Sequence, residues 1–130
     1  MRVLGLDHVQ LAMPAGEEAA ARRFYAGLLG MMEVEKPPVL AARGGCWFET
    51  AGTVLHLGVE EPFVPAHKAH PALVVADLEQ CRRELQAAGA SVVPDDTLPG
   101  VRRFYASDPF GNRIEFIQDG DAFTQRSPRV

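Results

Sequence analysis

From Leu6 to Met13 the chain alternates, with Leu6, His8, Gln10 and Ala12 on one side of an extended strand and Asp7, Val9, Leu11 and Met13 on the other. Beyond Asp7 the second set is the more apolar, so it predicts the face beneath a helix and leaves His8 and Gln10 on the opposite face. Pro14-Ala15-Gly16 reads as a turn. Glu17 to Leu29 reads as a helix, with acidic residues in its first turn, Phe24, Tyr25, Leu28 and Leu29 as its apolar stripe, and Gly30 after its end. Pro37-Pro38 breaks the next stretch, and Val39 to Arg43 reads as an edge strand. Cys46–Thr50 and Thr53–Val59 predict a hairpin around Ala51-Gly52. Glu60 to Ala69 carries prolines among mixed polar residues and reads as a linker.

The order then repeats. His70 to Ala76 predicts a strand. Asp77 is placed to cap a helix, and Gln80 stands where a capping box would be completed. Leu78, Cys81, Leu85 and Ala88 form its apolar stripe, and Gly89 ends it. Ser91–Val93 is a short strand. Val101–Ala106 and Asn112–Gln118 form a hairpin around Ser107-Asp108-Pro109-Phe110-Gly111. Asp119 to Val130 is a polar tail without periodicity. The reading is an α+β fold: two βαβββ modules, about 1–60 and about 68–118, forming a curved, cup-shaped mixed sheet with helices outside, in a single domain of 130 residues.

The repetition also pairs polar residues. His8 and His70 fall near the start of each unit's first strand, and His56 and Glu115 at the same place in the last. If all four face the cup they converge. Imidazoles with a carboxylate suit Zn, Ni, Fe, Co or Mn, and a set with open positions suits Lewis-acid catalysis. Each residue has a plainer reading. A strand histidine is often a hydrogen-bonded packing residue. A carboxylate within Ile114-Glu115-Phe116-Ile117 is paired, metal-bound, or on an exposed face. His67 reads as a solvent-facing linker residue, and Trp47 and Phe48 as sheet packing, with one of them turned toward the cup.

Composition narrows the function classes. The formal charge of −4 argues against a nucleic-acid partner, and Arg102-Arg103 is the only basic doublet near a candidate strand. No apolar run approaches a bilayer span, and the amino-terminal stretch lacks the pattern of a signal peptide, so a cytoplasmic location with no membrane partner is expected. Cys46 and Cys81 lie on different predicted elements and are expected to be free thiols. The open sheet edges and concave faces predict a homodimer. Arg43, Arg102, Arg103 and Arg113 are candidates to hold the far end of an anionic ligand. Arg113 is the strongest, because it shares strand parity with Glu115.

Four stretches carry a family resemblance: Leu6-Asp7-His8-Val9; Ala21-Arg22-Arg23-Phe24-Tyr25 through Leu28-Leu29-Gly30-Met31; His70-Pro71-Ala72-Leu73-Val74-Val75; and Asp108-Pro109-Phe110-Gly111-Asn112-Arg113-Ile114-Glu115. Through them the chain resembles the glyoxalase/bleomycin-resistance/dioxygenase group, the vicinal oxygen chelate superfamily. The resemblance implies a metal triad of His8, His70 and Glu115, with His56 where glyoxalase I-like members carry a glutamate as fourth ligand. It implies a divalent transition metal, catalytic roles for Glu115 and His56, and Gln10, Trp47, Arg103 and Arg113 as contacts for a small, oxygen-rich, anionic substrate. The activity it implies is lyase- or isomerase-type chemistry through a metal-stabilised enolate or oxyanion. The alternatives are a non-catalytic small-molecule or antibiotic-binding resistance protein and, second, a dioxygenase. Replacing the family's glutamate by His56 removes a carboxylate base, so strict glyoxalase I activity does not follow from the resemblance.

Overall fold

The computed structural model describes residues 1–121 and 123–124. The chain divides between Pro65 and Ala66 into two compact units. Each holds a four-stranded mixed sheet built in the same order.

In the first unit, β1 (Val9–Met13) lies parallel to β4 (Thr53–Val59), followed outward by β3 (Cys46–Thr50) and β2 (Met32–Val34). The expected helix begins as α1 (Glu18–Ala21) and continues as a wider π-helical stretch over Arg22–Leu28. There Leu29 N–H reaches back five residues to the Phe24 carbonyl at 2.9 Å. The segment buries Ala21, Phe24 and Tyr25, and the Tyr25 ring stacks on Phe48 with centroids 5.5 Å apart. Met13, Cys46, Phe48, Leu55 and Leu57 complete this core. Strand alternation sends Trp47 and His56 to the opposite sheet face.

One sequence expectation fails here. Val39–Arg43 is not a strand: Pro38–Ala41 forms the short helix α2, with Pro38 in its first turn. The N–H groups of Leu40 and Ala41 both donate to the Pro37 carbonyl, at 2.8 and 3.1 Å. Proline at the first helical position has its φ preset for a helix and lacks only an N–H that would be unpaired anyway. That local preference outweighs the weak strand pattern of four small apolar residues.

In the second unit, β5 (Ala72–Val75) lies parallel to β8 (Arg113–Gln118), followed by β7 (Arg103–Ser107) and β6 (Val92–Pro94). Helix α3 (Leu78–Ala87) buries Leu85 and lies against β6 and β8. Phe104, Ala106, Ile114 and Phe116 are buried on one face of the sheet. Asp77 caps α3 as expected, accepting from Gln80 N–H at 3.0 Å. The capping box is not completed, because the Gln80 side chain donates to Glu84 one turn later, also at 3.0 Å. Ala88, expected in the buried stripe, is exposed. The β7–β8 turn is organised by buried Asp108. Its Oδ1 accepts from the N–H groups of Phe110 and Asn112, and its Oδ2 from the Asn112 amide, all at 2.9 Å. The expected polar tail from Asp119 lies in part outside the described residues. Within them, Asp121 accepts from Arg102 N–H. Among the described residues no helix is long and apolar enough to cross a membrane.

Candidate functional site

In the first unit the candidates gather on the sheet face away from α1. His56 stands opposite Gln10 on β1 and Trp47 on β3. Its ring lies parallel to the Trp47 indole, with centroids 3.9 Å apart and planes within 2°. His8 stacks on it at 4.2 Å. His56 is 7% exposed. Burial, and then the neighbouring His8, holds its imidazole below the usual histidine range, so it is neutral at pH 7. His8 Nδ1 lies 2.8 Å from Asp7 Oδ2. A carboxylate only accepts, so Nδ1 is the donor in this contact. The Gln10 side chain lies over Gly58, where a Cβ would come within 2.5 Å of Gln10 Nε2. A side chain at position 58 would therefore push the Gln10 amide away.

In the second unit Glu115 pairs across the sheet with Ala72 and Tyr105. It is 5% exposed, which rules out the exposed-face reading of its run. Its backbone N–H donates to the Pro71 carbonyl at 3.0 Å, drawing the segment before β5 onto β8. His70 is thereby set beside it, with Nε2 3.0 Å from Glu115 Oε1. His70 Nδ1 is 2.8 Å from the Lys68 carbonyl, which can only accept. Arg103 holds the other carboxylate oxygen: Nη1 donates to Glu115 Oε2 at 3.2 Å. Its Nη2 donates to Asp95 Oδ2 at 3.2 Å and Thr97 Oγ1 at 3.3 Å. The Tyr105 ring meets His70 edge-on at 5.2 Å and carries the Arg113 guanidinium 3.8 Å above it.

The structure thus brings the four metal-ligand candidates together as two pairs, His8 with His56 and His70 with Glu115. Within neither unit, among the described residues, does a third His, Cys, Asp or Glu complete a three-ligand group. Trp47 packs on His56, Gln10 flanks it, and Arg113 shares the Glu115 face. Arg103 reaches that face too, but both its terminal nitrogens are engaged on protein groups. Arg43 and Arg102 are exposed. Tyr105, Asp95 and the orienting acceptors Asp7 and Lys68 were not singled out from sequence. Tyr105 was legible in principle, since a hairpin closing at 107–113 sets it opposite Glu115, as Trp47 stands opposite His56.

The donor chemistry fits a divalent ion. With Nδ1 of His70 donating to a carbonyl, its Nε2 and Glu115 Oε1 face each other as acceptors unless a proton or cation lies between them. His70 Nε2 and Glu115 Oε1 are the atoms of this unit that would hold such an ion. Fixing one ring nitrogen with a carboxylate or carbonyl, as Asp7 and Lys68 do, is also how ligand histidines are oriented.

A family model described as the Glyoxalase/Bleomycin resistance protein/Dioxygenase superfamily matches residues 5–116. No curated protein matches the chain. Among solved structures, a Bacillus anthracis protein assigned to the glyoxalase family is 48% identical, with a TM-score of 0.85, covering 91% of this chain and 97% of that one. An integron cassette protein from V. cholerae is 22% identical (TM-score 0.67, 92% and 98% covered). A variant of the fosfomycin resistance protein FosX from Listeria monocytogenes, complexed with Mn(II) and 1S,2S-dihydroxypropylphosphonic acid, is 16% identical (TM-score 0.71, 89% and 90% covered). The last two share the fold. With the family model spanning nearly all of both units, and with a relative of this identity along nearly its whole length, the chain belongs to the glyoxalase/bleomycin resistance protein/dioxygenase superfamily.

Proposed function

We propose that this protein is a metal-dependent enzyme of lyase or isomerase type, acting on a small, oxygen-rich substrate. The observation that carries the reading is the His70–Glu115 pair, in which a committed Nδ1 leaves Nε2 facing a carboxylate oxygen at 3.0 Å. The ligand pairs it names are His8 with His56 and His70 with Glu115, and the cofactor class is Zn, Ni, Fe, Co or Mn. The FosX variant that shares this fold is complexed with Mn(II) and a phosphonic acid, which accords with that class. A bound divalent ion supplies Lewis acidity toward an oxygen-rich ligand. The protein's own part is positional. Arg103 holds Glu115 by Oε2, so that Oε1 keeps its direction. His56, neutral through burial, can accept a proton. The open sheet edges make a homodimer the proposed assembly.

One observation favours the non-catalytic alternative. Arg103 already neutralises Glu115, so the carboxylate is satisfied without a metal. Titration of chelator-treated protein with Mn, Zn, Ni, Co and Fe(II) separates the two readings. Trp47 is the sole tryptophan and stacks on His56, so its fluorescence reports an ion arriving at that ring. Saturable binding of one metal per chain supports the enzyme, to be followed by a screen over vicinal diols, phosphonates and thiol adducts of 2-oxoaldehydes. No binding of any of the five metals would leave the metal-free binding protein.

A further inference from the structure

Beyond Tyr105 from the His70–Glu115 pair, the second unit holds a pocket of about 250 Å³, lined among others by His67, Ser91, Tyr105, Ser107, Gly111 and Arg113. None of its lining residues is acidic, although the chain as a whole carries a formal charge of −4. Arg113 is its permanent cation. The Tyr105 ring holds that guanidinium from one side at 3.8 Å. Such a contact uses the flat face of the group and leaves its edge N–H donors free. Among the described residues no carboxylate pairs with Arg113, and the side chains of His67, Ser91 and Ser107 hydrogen-bond no protein group.

The fold assembles these donors from separate segments. Ser107 stands directly opposite Arg113 in the β7–β8 register, at cross-strand contact distance. Arg113 N–H donates to the Ala66 carbonyl at 3.3 Å, which brings His67, the next residue, to the arginine. The result is an open pocket with a held guanidinium, an imidazole and two hydroxyls, and no competing negative charge. A guanidinium already fixed over a ring loses little freedom on binding, and its planar fork matches two oxygens of a phosphate, phosphonate or carboxylate.

We infer that this pocket is an oxyanion subsite that takes the charged end of the substrate, with Arg113 and His67 as its specificity-determining residues. The inference rests on the proposed enzymatic reading for the remainder of the ligand, but no candidate metal ligand lines the pocket, so the two can be tested apart. Inorganic phosphate is titrated into chelator-treated protein at constant ionic strength, with backbone amide shifts as the readout and acetate as a second arm. The expected result is saturable binding with shifts centred on Ser107, Gly111 and Arg113. Arg113→Ala weakens it by about tenfold or more, and His67→Gln, at an exposed position, by several-fold. A preference for phosphate over acetate assigns a tetrahedral oxyanion, and the reverse assigns a carboxylate. Absence of saturable binding of both anions overturns the subsite and leaves the metal reading to its own titration. Binding undiminished in both variants, or seen only when metal is restored, also overturns it.

Discussion

His70 and Glu115 meet at 3.0 Å through Nε2 and Oε1, while the other imidazole nitrogen is already donating to the Lys68 carbonyl. The contact is complete only with a proton or a cation between the two atoms. The same device is half-built in the first unit, where Asp7 fixes His8 Nδ1 and leaves Nε2 open.

Glu115→Gln removes the one carboxylate among the ligand candidates and keeps its shape. Metal affinity should fall by at least about 100-fold, since losing even an outer partner of a ligand costs about 10–100-fold. Lys68 contributes through its carbonyl, so Lys68→Ala should leave affinity within about threefold. Competition against a fluorescent chelator measures both.

His56 should make the protein acid-sensitive. Its folded-state imidazole titrates below the usual value because burial disfavours the charged form, and His8 adds to the shift. The unfolded chain therefore binds this proton more readily than the native one. The stabilising contribution is complete above about pH 6.5 and is lost as pH falls through the lowered value. Urea unfolding midpoints should decline as pH drops from about 7 to about 5, and His56→Gln should flatten that decline. An equal decline in the variant would assign the acid sensitivity elsewhere.

Cys46 and Cys81 should be inert thiols. Burial pushes each up to about 11, and among the described residues neither is in a disulfide. At neutral pH both should react with iodoacetamide much more slowly than in urea, followed by intact mass. Rapid labelling of the native protein would contradict the burial of either one.

Gly45→Ala should destabilise the first unit by about 2 kcal/mol or more. Gly45 has φ +85°, and a Cβ there would lie 2.1 Å from the Leu57 carbonyl oxygen. That oxygen belongs to β4, beside the start of β3, and has no flexible end to swing away. The Gly45 N–H also donates to Glu18 at 2.9 Å, tying the turn to α1. Thermal unfolding of the variant measures the loss. Gly58→Ala is the contrast: it meets the movable Gln10 amide and should cost less.

Much of this arrangement was determined locally. Period-two alternation placed Arg113 with Glu115 on a single face, because a strand leaves a side chain only two directions. The Ala51-Gly52 hairpin and the Asp77 cap follow from backbone preferences of a few residues. Duplication then matched His8 with His70 and His56 with Glu115, although no single unit repeats the same donor pair.

What lay beyond the sequence was the choice among partners. Val39–Arg43 is too short for periodicity to separate strand from helix, and only the fold shows Leu40 and Ala41 closing a helical turn on the Pro37 carbonyl. The Gln80 side chain could have accepted from the Asp77 N–H, and instead it donates to Glu84. Glu115 could have been exposed, metal-bound or paired. Only the folded sheet brought Arg103 to one of its oxygens and His70, 45 residues away, to the other. Parity determines a direction, but the distance between groups far apart in sequence depends on how strands register and loops close. Those are properties of the packed chain, and through them the tertiary structure decided which polar groups meet.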